Sequence, residues 1–511
     1  MNHWLTAPLL IPLFGALLQI FMSYAPLQLR RTLALATSVL TLVAAIMLVG
    51  LADDGNYRVY AFGNWPPPYG IVLVLDRLAA LMLVLTASLA LCCHIFSVRG
   101  TDEEGDYFHA LFLFQLFGLN IAFLTGDLFN LFVAFEVLLI ASYGLLMHGR
   151  GTLRTIPGLH YVVLNLIGSG FFLISVGMIY SVTGSLNMAD LAVLIPQVSD
   201  QDLPLVKAGG LILLVVFALK AAILPLCFWL PRAYANATAP VAALFAVMTK
   251  VGIYAILRVH TLVFGDDAGE LANLGMDLLF PAALATIVMG VIGSLGADGL
   301  KTLVAWQLVV SVGTLLAAIA LGKAEGTSAA LFYLLNTTWL AGGLFLLADL
   351  IANQRGTAAD KIVTAPRMHS RTLLSILFLV GATGVAGLPP LSGFFSKLLI
   401  LKAVEPGAQM AWLWSTILVG GFLTLVAFSR AGSIVFWRNV EGHVSNPGKL
   451  TLPVSVSASA LIAMTVVIVV LAGPISRYTD ATAAQLHNPD GYITILGTQP
   501  VGKASSKELL P

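Results

Sequence analysis

"LLVVFALKAAILPLCFWL", residues 213–230, sets a lysine in the middle of an apolar run and places a proline shortly after it. A run of this length and apolarity reads as a helix that crosses a membrane. Lys220 then lies near the bilayer centre, where a charged side chain costs about 2.5–3.5 kcal/mol on insertion scales. Pro225 cannot donate to the carbonyl of Ala221 and strains the turn between, so the helix is expected to kink or break beside the lysine. The polar backbone freed there must line a cavity or meet other protein, because lipid offers it no partner.

The rest of the chain repeats the pattern. Of its 511 residues, 59% are hydrophobic and 10% charged, against roughly 25% charged in soluble domains. The mean hydropathy of +0.93 agrees. Apolar stretches recur throughout, so the expected fold is an all-α polytopic membrane protein with about fourteen transmembrane helices. They fall near 4–24, 32–51, 71–98, 107–125, 128–148, 158–181 and 205–230, then near 237–264, 271–296, 302–321, 327–352, 371–402, 411–437 and 452–476. A membrane β-barrel would show short alternating segments instead. The first stretch lacks a basic leader and is expected to be a retained span.

Connections are short, with no soluble domain. "NWPPPYG" (64–70) cannot be helical and caps an outer excursion, whereas "LNMADLAVLIPQV" (186–198) is too short to cross and is expected to lie on the outer surface. Residues 478–511 read as a loosely held polar tail. With the N-terminus outside, the inner loops receive Arg30, Arg31, Arg99, Arg150, Arg154, Arg232, Lys301, Arg355, Lys361, Arg367, Arg438 and Lys449. The outer side receives little beyond Arg58, Lys207, Lys323, Lys402 and Arg477, with Lys503 and Lys507 in the tail. Both termini are therefore expected on the outer side of the membrane.

A net charge of +1 gives no reason to expect a nucleic-acid partner. Cys92, Cys93 and Cys227 lie in apolar runs without metal spacing and read as small buried hydrophobes. No haem, iron–sulfur, Walker or dinucleotide signature is present, so no cofactor is expected, and any redox or ATP drive would act through another subunit. His94, His148, His160 and His260 fall near span ends and read as interfacial.

Subtracting loop charges leaves Asp76, Arg77, Glu136, Lys220, Lys250, Arg258, Asp349, Lys397 and Arg430 in or near spans. Asp76 and Arg77 read as structural at the outer interface. Arg258 and Arg430 lie toward span ends and could snorkel, and Asp349 reads as solvated or capping. The central charges differ. Glu136 sits in "GDLFNLFVAFEVLLIASYG" (126–144), Lys250 in "APVAALFAVMTKVGIYAIL" (239–257), and Lys397 in "GATGVAGLPPLSGFFSKLLIL" (381–401) after Gly384, Gly387, Pro389 and Pro390. Two interrupted, lysine-bearing spans at matching places are what an inverted-repeat transporter shows. Buried ionisable groups of this kind mark ion or proton paths. Lysine suits proton carriage, because a buried ammonium can give up its proton near neutrality where a guanidinium cannot.

"GDLFNLFVAFEVLLIASYGLL" (126–146) resembles the fifth-span motif of the D subunits of Mrp-type (Mnh or Pha) multisubunit cation/proton antiporters. "LKAAILPLCFWLPRAYANATAPVAALFAVMTKVGIYAILR" (219–258) and "GLPPLSGFFSKLLIL" (387–401) are similar to the wider superfamily, which includes the antiporter-like subunits of respiratory complex I. The resemblance spans roughly residues 70 to 440. It implies three leading spans (1–106), a first repeat of spans 4–8 (107–264), a second, inverted repeat of spans 9–13 (265–440), and a last span with its tail (441–511). It also implies discontinuous helices 7 and 12, with proton transfer by Glu136, Lys220, Lys250 and Lys397 and helix breaks at Pro225, Pro389 and Pro390.

One departure stands out in "SAALFYLLNTTWLAGGLFLLADL" (328–350). Where relatives often carry a histidine and a lysine, this chain holds Asn336 or Thr337, and Ala341. Water or Tyr333 would have to bridge spans 8 and 12. The implied function is proton translocation within a cation (Na+ or K+)/proton antiporter complex, with a Glu136–Lys220 ion pair as its modulated element. The implied partners are the other subunits, the ions and the bilayer. A proton-pumping subunit of a complex I-like oxidoreductase or membrane hydrogenase, and a scaffold whose charges only hold helices together, are the competing readings.

Overall fold

The computed structural model describes residues 3–65, 67–149, 151–438, 440 and 452–496. Arg150, Lys449, Lys503 and Lys507 of the loop-charge argument, Pro66, and the tail beyond residue 496 lie outside the described residues.

The chain is a helical bundle. Its helices are α1 (Ala7–Phe21), α2 (Leu27–Ala52), α3 (Arg77–Ser97), α4 (Phe108–Leu124), α5 (Leu128–Leu146), α6 (Thr152–Thr183) and the short α7 (Met188–Leu194). Next come α8 (Leu203–Ala221), α9 (Trp229–Asn236), α10 (Ala239–Phe245), α11 (Met248–Leu262), α12 (Met276–Leu295), α13 (Leu300–Ile319) and α14 (Ala324–Gln354). The series ends with α15 (Arg371–Ala386), α16 (Ser392–Ala403), α17 (Ala408–Gly432), α18 (Leu452–Val470), α19 (Ala472–Leu486) and α20 (Asp490–Ile495). Among the described residues twelve helical segments are long and apolar enough to cross a membrane, counting α10 with α11 as one. The expected fourth span is the shorter α4, and the expected twelfth is the interrupted pair α15–α16.

The structure corrects several expectations. The third span starts at Arg77 rather than residue 71, because residues 72–75 pair as β2 (Val72–Leu75) with β1 (Arg58–Ala61) in an antiparallel ribbon. Asp76 caps the helix instead of lying inside it, its Oδ1 accepting from the Ala79 amide at 2.8 Å. The same carboxylate forms a buried two-pronged pair with Arg258 at 2.6 and 2.9 Å, so Arg258 does not snorkel. Asp349 is neither simply solvated nor a cap, for it lies 3.4 Å from Lys301 and 3.7 Å from Arg99. The tail is anchored up to residue 496. Tyr478 donates to the Arg77 carbonyl at 3.1 Å, Gln485 to Gly55 at 2.9 Å, and Tyr492 is buried against Arg258. Its polar composition hid three side chains that bury a ring or an amide against spans already formed.

His94, His148 and His260 are inside the protein rather than at its interface, while His160 is exposed. Segment 186–198 holds α7, whose Met188, Ala189 and Leu191 are buried.

Candidate proton-transfer site within the membrane

Both expected breaks are present. α8 ends at Ala221, and Ala222 takes a left-handed conformation (φ +63°) before the chain resumes helix at Trp229. The amide of Leu224 is satisfied by the Thr286 hydroxyl of α12 at 3.0 Å, so the unwound backbone meets protein rather than lipid. α15 ends at Ala386 with Gly387 left-handed (φ +83°), and helix resumes at Ser392. The proline of each break lies three residues past its left-handed residue, as Ala222 to Pro225 and Gly387 to Pro390. A third irregularity, between α10 and α11, has neither Pro nor Gly in its sequence and could not be read from it.

The lysines sit where these helices end. Lys220 is in the last turn of α8, and its ammonium donates to Asn165 Oδ1 at 3.1 Å and lies 5.8 Å from the centre of the Phe135 ring. Lys397 folds back from α16 onto the last carbonyls of α15, donating to Val385 at 3.0 Å and Ala386 at 2.9 Å. Unpaired carbonyls and the negative end of the helix dipole favour a cation at such a terminus. Lys250, fully buried near the start of α11, donates to Ser311 at 2.9 Å and Thr249 at 3.3 Å.

Glu136 does not pair directly with Lys220, contrary to expectation. Helix α6 packs against both α5 and α8, and its polar face gives each of the two side chains a partner. Ser169 donates to the Glu136 carboxylate, while Asn165, one turn earlier on α6, accepts from Lys220. The Ser169 hydroxyl also lies 3.1 Å from the Asn165 carbonyl. Charges and prolines alone pass over Asn165 and Ser169. Their signal was two polar residues four apart in an apolar run, which puts them on one helix face.

The substituted positions of α14 also find a setting. Asn336, Thr337 and Ala341 line a cavity of about 20 Å³ with Tyr333, Gln307 and Val385, enough space for one water. Tyr333 lies near Thr314 and Thr337, and Asn336 accepts from Ser392 at 2.6 Å. Val385 thus lines the cavity and also holds the Lys397 ammonium.

A polytopic helical protein with interrupted helices and buried lysines at their ends defines a class, the ion-translocating subunits of membrane complexes. The chain belongs to the NADH:quinone oxidoreductase/Mrp antiporter transmembrane family, whose model matches residues 125–424. It is 40% identical to the D subunit of a probable K(+)/H(+) antiporter of Rhizobium meliloti, over 96% of each chain. It is 36% identical to the D subunit of the Na(+)/H(+) antiporter of Bacillus subtilis, over 96% of this chain and 99% of that one. Among solved structures it resembles a chain of the Mrp complex from Dietzia sp., with a TM-score of 0.85 and 28% identity over 97% of this chain and all of that one.

Proposed function

We propose that this chain is the D subunit of a multisubunit monovalent cation/proton antiporter and carries protons within it. The observation that carries the reading is that one face of α6 serves both charges beside a helix break, Ser169 donating to Glu136 and the Asn165 side chain accepting from Lys220. Relatives matched along nearly their whole length are named as subunits of K+/H+ and Na+/H+ antiporters. In the arrangement seen here Ser169 holds the carboxylate off the lysine. Release of that hydroxyl lets Glu136 swing to Lys220. At ~4 Å and an effective dielectric near 20 their attraction is about 4 kcal/mol. Modulating half of that changes proton occupancy more than tenfold. Closing the pair keeps the proton on Lys220, and opening it releases the proton toward Lys250.

From Lys250 the route continues through Ser311, Thr314, Tyr333 and Thr337 to the small cavity, and from there past the Val385 carbonyl to Lys397. Hydroxyls and one water thus take the place of the histidine and lysine of relatives. The chain divides into three leading spans, inverted repeats at spans 4–8 and 9–13, and a final span, fourteen in all, with both termini outside. Support for that orientation comes from the loop cations gathered at one end, where Arg30 bonds the Asp106 carbonyl and Arg99 and Lys301 flank Asp349.

The test is exchange by the whole complex in a strain lacking its own antiporters. Glu136→Gln and Lys220→Ala are each expected to assemble normally and lose pH-driven Na+ and K+ exchange. Undiminished exchange in both variants would sink the proposal.

A further inference from the structure

At the end of the bundle that carries the loop cations, a groove of about 680 Å³ opens between α6, α9 and α13. It lies apart from the lysine route, and its volume is in the range of small-molecule sites, roughly 300–1,000 Å³. Phe228 is 52% exposed on it, and Trp229 and Trp306 line it, an apolar surface that water alone would cover poorly. Two opposite charges stand on its rim. Arg232 and Asp298 are both exposed, and among the described residues neither has an ion-pair partner. His160 adds a second nitrogen group on the α6 side.

We propose that this groove binds one membrane phospholipid with a zwitterionic, primary-ammonium headgroup of the phosphatidylethanolamine class. Arg232 takes phosphate oxygens, Asp298 takes the ammonium, and an acyl chain covers Phe228. The pairing of charges selects the headgroup. An anionic lipid would leave Asp298 facing a second negative charge, and a choline ammonium has no N–H to donate. Tryptophans with charged neighbours at a span end are also the setting that membrane interfaces favour. The bound lipid would bridge α9, the segment that resumes helix after the seventh-span break, to α13 across the seam between the two proposed repeats.

The experiment purifies the whole complex in mild detergent and quantifies retained lipid by native mass spectrometry, before and after exchange into vesicles of phosphatidylethanolamine, phosphatidylcholine or phosphatidylglycerol. The wild type is expected to retain the ethanolamine lipid preferentially. Arg232→Ala and Asp298→Asn should each lower that retention roughly tenfold, the effect of one lost charge-assisted hydrogen bond. Arg232→Lys, a milder change expected to assemble, should retain an intermediate amount. Equal retention of all three lipids, unchanged retention in the Arg232 and Asp298 variants, or equal protection by inorganic phosphate would overturn the proposal. A photo-crosslinker at position 228 should capture lipid; capture of a neighbouring protein there would overturn it as well.

Discussion

In the proposed switch Ser169 decides whether Glu136 and Lys220 meet, so its removal is informative in a way that removal of either charge is not. Ser169→Ala deletes a hydrogen bond to a charged group, an interaction worth about 1.5–3 kcal/mol. We expect exchange to fall roughly tenfold, with Ser169→Thr restoring much of it and the pH optimum displaced. An unaltered pH profile would assign Ser169 to packing alone. Asp76 and Arg258 behave differently, because they are cross-linked away from the lysines and flanked by Tyr254 and Tyr492. Breaking a buried pair by removing one partner costs about 3–5 kcal/mol. Asp76→Ala should therefore reduce the amount of assembled protein in the membrane, and normal amounts would count against a structural role.

Asp102, in the short loop between α3 and α4, gives a pH dependence with a definite sign. Burial would raise its pKa, but hydrogen bonds and charge from Arg31 and His109 outweigh that and hold it at about 2, below the ordinary 3.8. A depressed pKa contributes stability that is present above the unfolded value and is lost as pH falls through the folded one. The contribution is about 2 kcal/mol and should vanish between about pH 4 and about pH 2. Acid unfolding of the purified protein measures it, and Asp102→Asn should flatten that limb.

Among the elements, the interrupted helices matter most. Gly387 needs φ +83°, and a Cβ there would lie 2.8 Å from the Lys397 side chain. A few residues on, a Cβ on Gly393 would collide with the Gly384 carbonyl, so the two half-helices cross at backbone contact. Gly387→Ala therefore combines backbone strain of about 1–3 kcal/mol with displacement of the ammonium from its carbonyls. Lower thermal stability of the complex together with slowed exchange is expected. Wild-type values for both would show that the turn is not what seats Lys397. The breaks at Pro225 and at Pro389–Pro390 were legible because proline chemistry is local. The break before Lys250 was not, since its residues are ordinary helix formers and only packing imposes it.

Across the whole molecule the question is whether the two halves are connected. Of the proposed route, Tyr333 and Thr337 line one cavity together with Val385 at the half-helix end, while Ser311 bonds Lys250 on the other side. Tyr333→Phe keeps the ring and removes the hydroxyl. It should leave assembly intact and slow exchange at least tenfold, on the scale of a lost general acid–base group; exchange at the wild-type rate would place the route elsewhere.

The sequence by itself determined the class of fold, the charges set within the spans and two of the breaks, though it left Arg31, Asp102 and Arg355, which are buried, among the loops. Each of these depends on composition or on a proline's missing N–H, and none needs a partner to be recognised. Only the tertiary structure decided which groups those charges meet. It gave Glu136 and Lys220 separate partners on α6, tied Arg258 to Asp76 across a separation of 182 residues, and turned a polar tail into anchored helices. The reason is physical: the cost of burying a charge is written in its own residue type, whereas the partner that offsets that cost is chosen by how the helices pack.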